Sequence, residues 1–428
     1  MLYTIGMFYA PDMKRLGTLL SHTAESPFSS FYRNRFANAA ISPENIADER
    51  SFQKIPFLTR AELESTSPLL RTYVPQEEIL FASYTSGTTS GKPLISFFSF
   101  IEHYGVNISH GYPVSRALVV NPVFIKNLSY VFIQMARESD PPLSVTYGDA
   151  QNLANSAVLA RETACDALFA TPTLALHLAE HMATHYAATK IKLISLASES
   201  LTRAKRAQLK SLYPAARIAN VYGMSEVAQL ILVPCKKMIE EEKDSFHVVS
   251  ARAAVELIDG ELVITYDLNR ASPLIRYRTG DHFTLEAEHC DCGLPGPVLG
   301  WEGRTGVDTV KVNGIEVKLA DVETLFAPLA PLIGDNYQVH FYTTDDVPSK
   351  LRVVVEISDP IIFQNKMLQE RISAETLPYL TTKWKVGSTS TYADAILRNL
   401  AVPPEIVFVE RFSHESSRKF KRLVSHIV

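Results

Sequence analysis

The chain is short of several things that would decide its class at once. Four cysteines in 428 residues are too few for a disulfide-built protein, so a reducing compartment is expected, with the cytoplasm as default. Positive charge is not in excess: 42 Lys and Arg against 46 Asp and Glu leave a net −4, which argues against nucleic acid as a partner. No apolar run approaches the roughly 18–20 residues of a membrane span, so no membrane partner is expected. The opening Met1-Leu2-Tyr3-Thr4-Ile5-Gly6 has no basic stretch and no clear cleavage site, and a signal peptide is not expected. Internal repeats and low-complexity tracts are absent. What remains is ordinary globular composition, 46% hydrophobic and 21% charged, which permits a sizeable core. The length predicts two or three domains.

What the chain does have is the stretch Tyr84-Thr85-Ser86-Gly87-Thr88-Thr89-Ser90-Gly91-Lys92-Pro93. Apolar runs precede it (Ile79–Ala82) and follow it (Leu94–Phe98), predicting a strand, a loop and a second element. Backbone N–H groups and hydroxyls in such a loop converge on phosphate oxygens, and Lys92 adds positive charge. It is not a Walker loop: three residues separate Gly87 from Gly91, and Pro93 follows the lysine, where that motif has four residues and a hydroxyl. Read alone, a Gly-rich loop is usually a solvated Ser/Thr/Gly turn.

Along the chain, residues 1–75 read as mainly helical, with a capping-box pattern at Thr59 and Glu62. Apolar strands at Ala117–Asn121, Ala167–Pro172 and Lys192–Ala197 then alternate with helical stretches such as 174–187, predicting a parallel or mixed sheet with helices on its faces. Ligands in such sheets sit beyond the carboxyl ends of the strands. Asp259-Gly260 between two short apolar runs is a hairpin signal, and a β-rich subdomain is expected near 235–300. Beyond Gly303 the pattern predicts a second hairpin around Asn313-Gly314, a helix near 319–329, strands at 337–343 and 351–357, broken helix over 359–400 and a last strand at Glu405–Val409. The fold class is α/β: a large N-terminal domain, 1–303, and a small mobile α+β domain, 304–428.

Four further segments carry chemistry. Asn220-Val221-Tyr222-Gly223-Met224-Ser225-Glu226 offers an aromatic face, a hydroxyl and a hard carboxylate; alone it reads as a strand-to-helix turn. Tyr277-Arg278-Thr279-Gly280-Asp281 reads alone as a β-turn. Ala197-Ser198-Glu199-Ser200 could be a helix N-cap. Ser416-Ser417-Arg418-Lys419-Phe420-Lys421-Arg422 could be a basic solvated tail. A metal question comes with Cys290-Asp291-Cys292-Gly293. With Cys235 and His247 these cysteines supply four soft or borderline ligands, suited to tetrahedral structural Zn²⁺. His282 and His289 are alternative fourth ligands, and reduced cysteines in a turn-rich region are the plain alternative. Cys165, in an apolar helical setting, reads as core.

In this order, these segments resemble those of the adenylate-forming acyl- and aryl-CoA ligases, over about 80–422, and the Cys-x-Cys-Gly and helical lead-in resemble the phenylacetate–CoA ligase-like branch. The resemblance implies that Thr85, Ser86, Gly87, Thr88, Thr89 and Lys92 hold the phosphates of ATP and that Tyr222 stacks on adenine. It implies that Gly223 and Ser225 lie at the α-phosphate, that Glu226 binds Mg²⁺ and that Asp281 holds the ribose. Ser198 and Glu199 would flank adenine. Gly303-Arg304 resembles the inter-domain hinge, with Arg304 reaching ribose and phosphate; Thr305-Gly306-Val307-Asp308 departs from the usual Gly-Arg-x-Asp-Asp, so Gly306 or Val307 is the expected hinge residue. Lys419 and Arg422 keep the spacing of the family's C-terminal Gly-Lys-x-x-Arg, with Arg418 in place of the glycine and Lys421 as the fallback. Lys419 would act in adenylation. The implied activity is ATP-dependent activation of a small carboxylic acid, an aromatic one being the family-level expectation, then transfer to coenzyme A. Transfer to an amine or a carrier-protein thiol is an alternative, as is a nucleotide-binding homologue without catalysis. Branch members often carry a comparable Cys/His set, so structural zinc is expected beside ATP, Mg²⁺ and coenzyme A.

Overall fold

The strands Arg116–Val120, Ala167–Ala170 and Leu193–Leu196 are mostly apolar because both of their faces are covered. With Ser144–Tyr147 at one edge and Arg217–Asn220 at the other they form a five-stranded sheet in which every pairing is parallel. Alternate side chains serve alternate cores. Leu118, Val120, Leu168, Ile194 and Leu196 pack with Ala157, Leu178, Met182 and Tyr213. Ala117, Val119, Phe169 and Leu193 join the larger core containing Val131 and Met135.

The computed structural model describes every residue except 1–4, 11, 86–92, 100–105, 122–128, 186–187, 200, 202, 249–252, 295, 305–308, 313–314, 330–336, 345–346, 358, 387–389, 398–401, 413–422 and 428. The fold is mixed α/β and divides into two units, Met1–Leu201 with Leu209–Glu302, and Thr202–Gln208 with Gly303–Val428. Among the described residues, no helix is long and apolar enough to cross a membrane.

The first unit also holds an eight-stranded sheet. Its order is Ile5–Tyr9, Ala253–Ile258, Glu261–Tyr266, Leu274–Ala287, Val298–Arg304, Ser245–Val248, Gln229–Val233 and Tyr222–Met224. The sheet therefore runs past 235–300 at both ends. Ile5–Tyr9 is a strand in a region expected to be helical; it pairs antiparallel with Ala253–Ile258 as the sheet's outer strand. Ile258 pairs with Glu261 across Asp259 (φ +50°) and Gly260 (φ +82°), the two positive-φ positions that a tight hairpin needs. Two other expectations change. Tyr222–Met224 turns through residues 225–228 into Gln229–Val233, so the segment is a hairpin and not a strand-to-helix turn. Tyr277–Asp281 lies inside the long strand Leu274–Ala287, where Glu261 pairs with His282 but Val263 with Arg278. The extra residues bulge at Gly280 (φ +76°), so the glycine makes a bulge rather than a turn.

In the second unit, Glu405–Val409, Val347–Glu356, Tyr337–Thr344 and Leu423–Ile427 form a mixed four-stranded sheet. Leu423–Ile427, not Glu405–Val409, is the last strand. Thr309–Val312 and Ile315–Lys318 make the expected hairpin, joined by the short strands Lys385–Val386 and Ser390–Thr391 within the stretch read as broken helix. Leu319, Val322, Val339, Val353, Leu380 and Trp384 are among its core.

One buried ion pair fixes the lead-in segment to the first unit. Arg276 donates to Glu256 Oε1 and Oε2 at 2.9 and 2.8 Å, with side chains only 3% and 2% exposed. It also donates to the carbonyls of Gln53 and Ile55, and its guanidinium sits 4.2 Å from the Phe57 ring centroid. Leu58 then bonds into the same strand, donating to Arg276 O at 2.9 Å and accepting from Arg278 N at 2.9 Å. Removing one partner of such a pair strands a buried charge, which costs about 3–5 kcal/mol. Arg276→Met should therefore lower the chemical-unfolding midpoint of the first unit sharply, and adding Glu256→Leu should recover much of the loss. A single variant as resistant to denaturant as the parent would show that the pair does not hold the segment.

Candidate active site

The segments expected to bind nucleotide gather where the parallel strands end. Ala197-Ser198-Glu199 follows Leu193–Leu196, and Val221-Tyr222 follows Arg217–Asn220. Ser198 is exposed and takes φ +72°. Glu199 Oε2 accepts from Thr173 Oγ1 at 2.7 Å and from Thr173 N at 3.3 Å.

The centre of the site is a reciprocal exchange between two strands. The hairpin at Tyr222–Met224 supplies a phenol, Tyr222, and a carboxylate, Glu226; the strand Leu274–Ala287 supplies a phenol, Tyr277, and a carboxylate, Asp281. Tyr222 donates to Asp281 Oδ2 at 2.6 Å, and Tyr277 donates to Glu226 Oε1 at 3.2 Å. Both acids are nearly out of water, Glu226 at 4% and Asp281 at 3% exposure. The bulge at Gly280 allows this, because it lets Asp281 N bond back to Thr279 Oγ1 at 3.1 Å while Thr279 Oγ1 donates to Leu262 O at 2.7 Å. The Tyr222 ring also packs edge-on against Phe283, centroids 5.3 Å apart. Ser225 is half-buried in the turn that carries Glu226.

Among the described residues Arg60 brings a cation to Glu226, and it belongs to none of the motifs read from the sequence. It is the first residue of the helix Arg60–Ser65, whose N-cap Thr59 and Glu62 form the predicted capping box. Its Nη2 donates to Thr85 Oγ1 at 3.0 Å, its Nε to Glu64 Oε1 at 2.6 Å, and its Nη1 lies 3.7 Å from Glu226 Oε1. Thr85 in turn exchanges bonds with Leu94, donating from N to Leu94 O and accepting from Leu94 N, both at 3.0 Å. Thr85 and Leu94 thus close the base of the Gly-rich loop; Ser86, Gly87, Thr88, Thr89 and Lys92 lie outside the described residues. So do Gly306, Val307, Asp308, Arg418, Lys419, Lys421 and Arg422. Arg304 ends the strand Val298–Arg304.

A second group assembles as its residue types suggested. One ligand atom from each of Cys235, His247, Cys290 and Cys292 lies within 4.8 Å of all the others. Cys235 caps the helix Lys236–Glu240, His247 pairs across from Val233, and Cys290 and Cys292 come from the loop after Leu274–Ala287. His282 and His289 are not in the group. His247 Nε2 is 3.3 Å from Cys292 Sγ, while its buried Nδ1 has no hydrogen-bond partner among the described residues. Burial lowers the His247 pKa, favouring the neutral ligand form. Burial also pushes the Cys235 thiol up to about 11, the thiols of Cys292 and Cys290 acting in the same direction. The backbone N–H of Cys292 holds Cys290 below the usual thiol range. Cys165, by contrast, is fully buried in the core beside the parallel sheet.

No family model matches the chain. A phenylacetate–coenzyme A ligase of Thermus thermophilus is 24% identical over 409 residues, covering 85% of this chain and 84% of the relative. One from Pseudomonas putida is 24% identical over 386 residues, covering 81% of each. The chain is a distant homologue of the phenylacetate–coenzyme A ligases. Its fold is that of a 2-hydroxyisobutyryl-CoA ligase crystallised in the postadenylation state, matched with a TM-score of 0.74 at 16% identity over 97% of this chain and 88% of that one.

Gly223 has a steric reason that can be checked. A Cβ there would come 2.5 Å from the backbone oxygen of Gln229 on the facing strand of the hairpin, beside Leu230, with which Gly223 pairs. Backbone cannot yield as a side chain tip can. Gly223→Ala should destabilise the first unit by about 1–3 kcal/mol, the range for overpacking. Chemical unfolding followed by tryptophan fluorescence reads this directly, and an unchanged midpoint would mean the hairpin has room to spare.

Proposed function

We propose that this chain is an AMP-forming acid–thiol ligase. The observation that carries the reading is the reciprocal Tyr222–Asp281 and Tyr277–Glu226 exchange, which sets two buried carboxylates beside the base of a Gly-rich loop. In the first half-reaction a carboxylate oxygen attacks the α-phosphorus of ATP, a P–O bond breaks and pyrophosphate leaves. In the second a thiol sulfur attacks the acyl carbonyl and AMP leaves. Ser86, Gly87, Thr88, Thr89 and Lys92 cradle the phosphates, and Ser225 meets the α-phosphate across Gly223. Tyr222 gives its face to adenine, flanked by Ser198 and Glu199. Asp281 accepts from the ribose hydroxyls, since a carboxylate has acceptor capacity beyond one phenol, and Arg304 adds charge there. Glu226, a hard oxygen donor already held by Tyr277, suits Mg²⁺, which when bound would offset charge on the phosphates. Coenzyme A is the thiol acceptor, and an aromatic acid fits the homologues' substrate.

ATP–pyrophosphate exchange over a panel of carboxylic acids tests the first half-reaction, and mass spectrometry of products with coenzyme A, amines and a carrier protein identifies the acceptor. Asp281→Ala should weaken ATP binding about tenfold to a hundredfold, the usual worth of hydrogen bonds to a charged acceptor. Lys419→Ala should slow pyrophosphate release by about 10²–10³ yet leave thiol transfer from a supplied acyl-adenylate intact. Equal loss in both half-reactions removes Lys419 from an adenylation-specific role, and an inactive Lys421→Ala beside an active Lys419→Ala moves the role to Lys421.

For the Cys/His group we propose one structural Zn²⁺ per chain. Three thiols and an imidazole match its preferred donor set, and tetrahedral zinc at about 2.3 Å from sulfur places ligand atoms within such a span of one another. The ion would join three chain segments of the first unit and take no part in the reaction. Metal analysis of protein purified without chelators should find about one zinc per chain, and chelation should lower the thermal midpoint. Zinc-free protein in which Cys290→Ser changes nothing would end the idea.

A further inference from the structure

We propose that Arg60 is a positioning residue that holds the entry of the Gly-rich loop and the Glu226 carboxylate at a fixed separation. The inference rests on the nucleotide-binding reading above and adds to it a residue from outside its motifs. One guanidinium reaches three groups at once: Thr85 Oγ1 at 3.0 Å, Glu64 Oε1 at 2.6 Å and Glu226 Oε1 at 3.7 Å. Glu226 is nearly out of water, where an uncompensated charge is unfavourable, and Arg60 supplies the opposite charge. Thr85 is the last described residue before the loop and is pinned from the other side by Leu94. Arg60 is itself aimed by its neighbours. Leu58 is bonded on both sides to the strand that carries Tyr277, and the Thr59–Glu62 capping box starts the helix one residue later. Arg60 and Tyr277 therefore meet on the same oxygen of Glu226 from two directions.

The planar fork is what the arrangement needs. Lysine carries the same charge but offers a single point of contact. It can stay near Glu226 and so keep a cation beside the buried acid, but it cannot also hold Thr85 and Glu64. On that reading the loop would hold the β- and γ-phosphates and Glu226 would be a ligand for Mg²⁺. AMP lacks those phosphates, so a fault in this clamp should register on ATP and hardly on AMP. A general loosening of the fold would weaken both.

The test is calorimetric titration of ATP and of AMP, with Mg²⁺, into the parent protein, Arg60→Lys, Thr85→Val and the double variant, beside their thermal midpoints without nucleotide. Arg60→Lys should keep its thermal midpoint and lose about tenfold or more in ATP affinity, the worth of a hydrogen bond to a charged group, with AMP affinity close to the parent's. Thr85→Val should show the same preference, and combining the two should add little, since both break one contact. Equal losses for ATP and AMP, an unchanged ATP affinity, or fully additive effects would overturn the clamp. If Arg60→Lys does not fold, Thr85→Val alone decides between the ATP-selective and the unselective result. A parent protein that binds neither nucleotide overturns both this inference and the nucleotide-binding reading. One that binds both nucleotides but releases no pyrophosphate with any acid overturns the ligase reading while the clamp stands or falls on its own titrations.

Discussion

A guanidinium buried against a carboxylate in the middle of a β-sheet is a demanding thing to build, and the first unit is arranged around one. Arg276 has Glu256 on one side, the carbonyls of Gln53 and Ile55 on another and the face of Phe57 over it. Its donors are satisfied by groups from two distant stretches of chain, so it brings the lead-in segment onto the strand Leu274–Ala287. The position of Leu58 follows, then the start of the helix at Arg60, then the approach of Arg60 to Thr85 and Glu226. Errors here would propagate to every residue of the candidate site supplied by the lead-in.

The site itself uses phenols where cations would be the obvious choice for holding acids. A tyrosine hydroxyl orients a carboxylate without cancelling its charge. Asp281, held by Tyr222, stays an acceptor suited to neutral hydroxyl donors, while Glu226, held by Tyr277, stays a ligand suited to a hard cation. Among the described residues the Arg60 guanidinium approaches Glu226, and at 3.7 Å it is too far for a short charge-assisted bond.

Much of this was legible in the sequence because its signals are local. The inner parallel strands are nearly unbroken apolar runs, Asp259-Gly260 can hardly be anything but a tight turn, and the Thr59–Glu62 box is a four-residue pattern. The four zinc-type ligands were legible by chemistry, since few other residues share their softness. What escaped depends on partners far along the chain. Ile5–Tyr9 is a strand only because Ala253–Ile258 offers it an open edge, and Leu423–Ile427 is one because Tyr337–Thr344 accepts a parallel neighbour. Gly280 reads as a turn until a paired strand makes it a bulge. Arg60 has no motif at all: an arginine opening a short helix is ordinary until Thr85 and Glu226 are placed beside it.

The group at Cys235, His247, Cys290 and Cys292 has a consequence for the order of folding. Its members stand on strand ends and loops that become neighbours only once Ser245–Val248 has settled between Gln229–Val233 and Val298–Arg304. Any linkage through these four atoms closes the chain from Cys235 to Cys292. By the chain-entropy argument, a closure of that length removes about 4 kcal/mol of freedom from the unfolded chain. The same closure would trap a wrong strand order if it formed early. A Zn²⁺ held there would join strand ends that the finished sheet brings together, so its loss would be felt first in how fast the first unit comes apart.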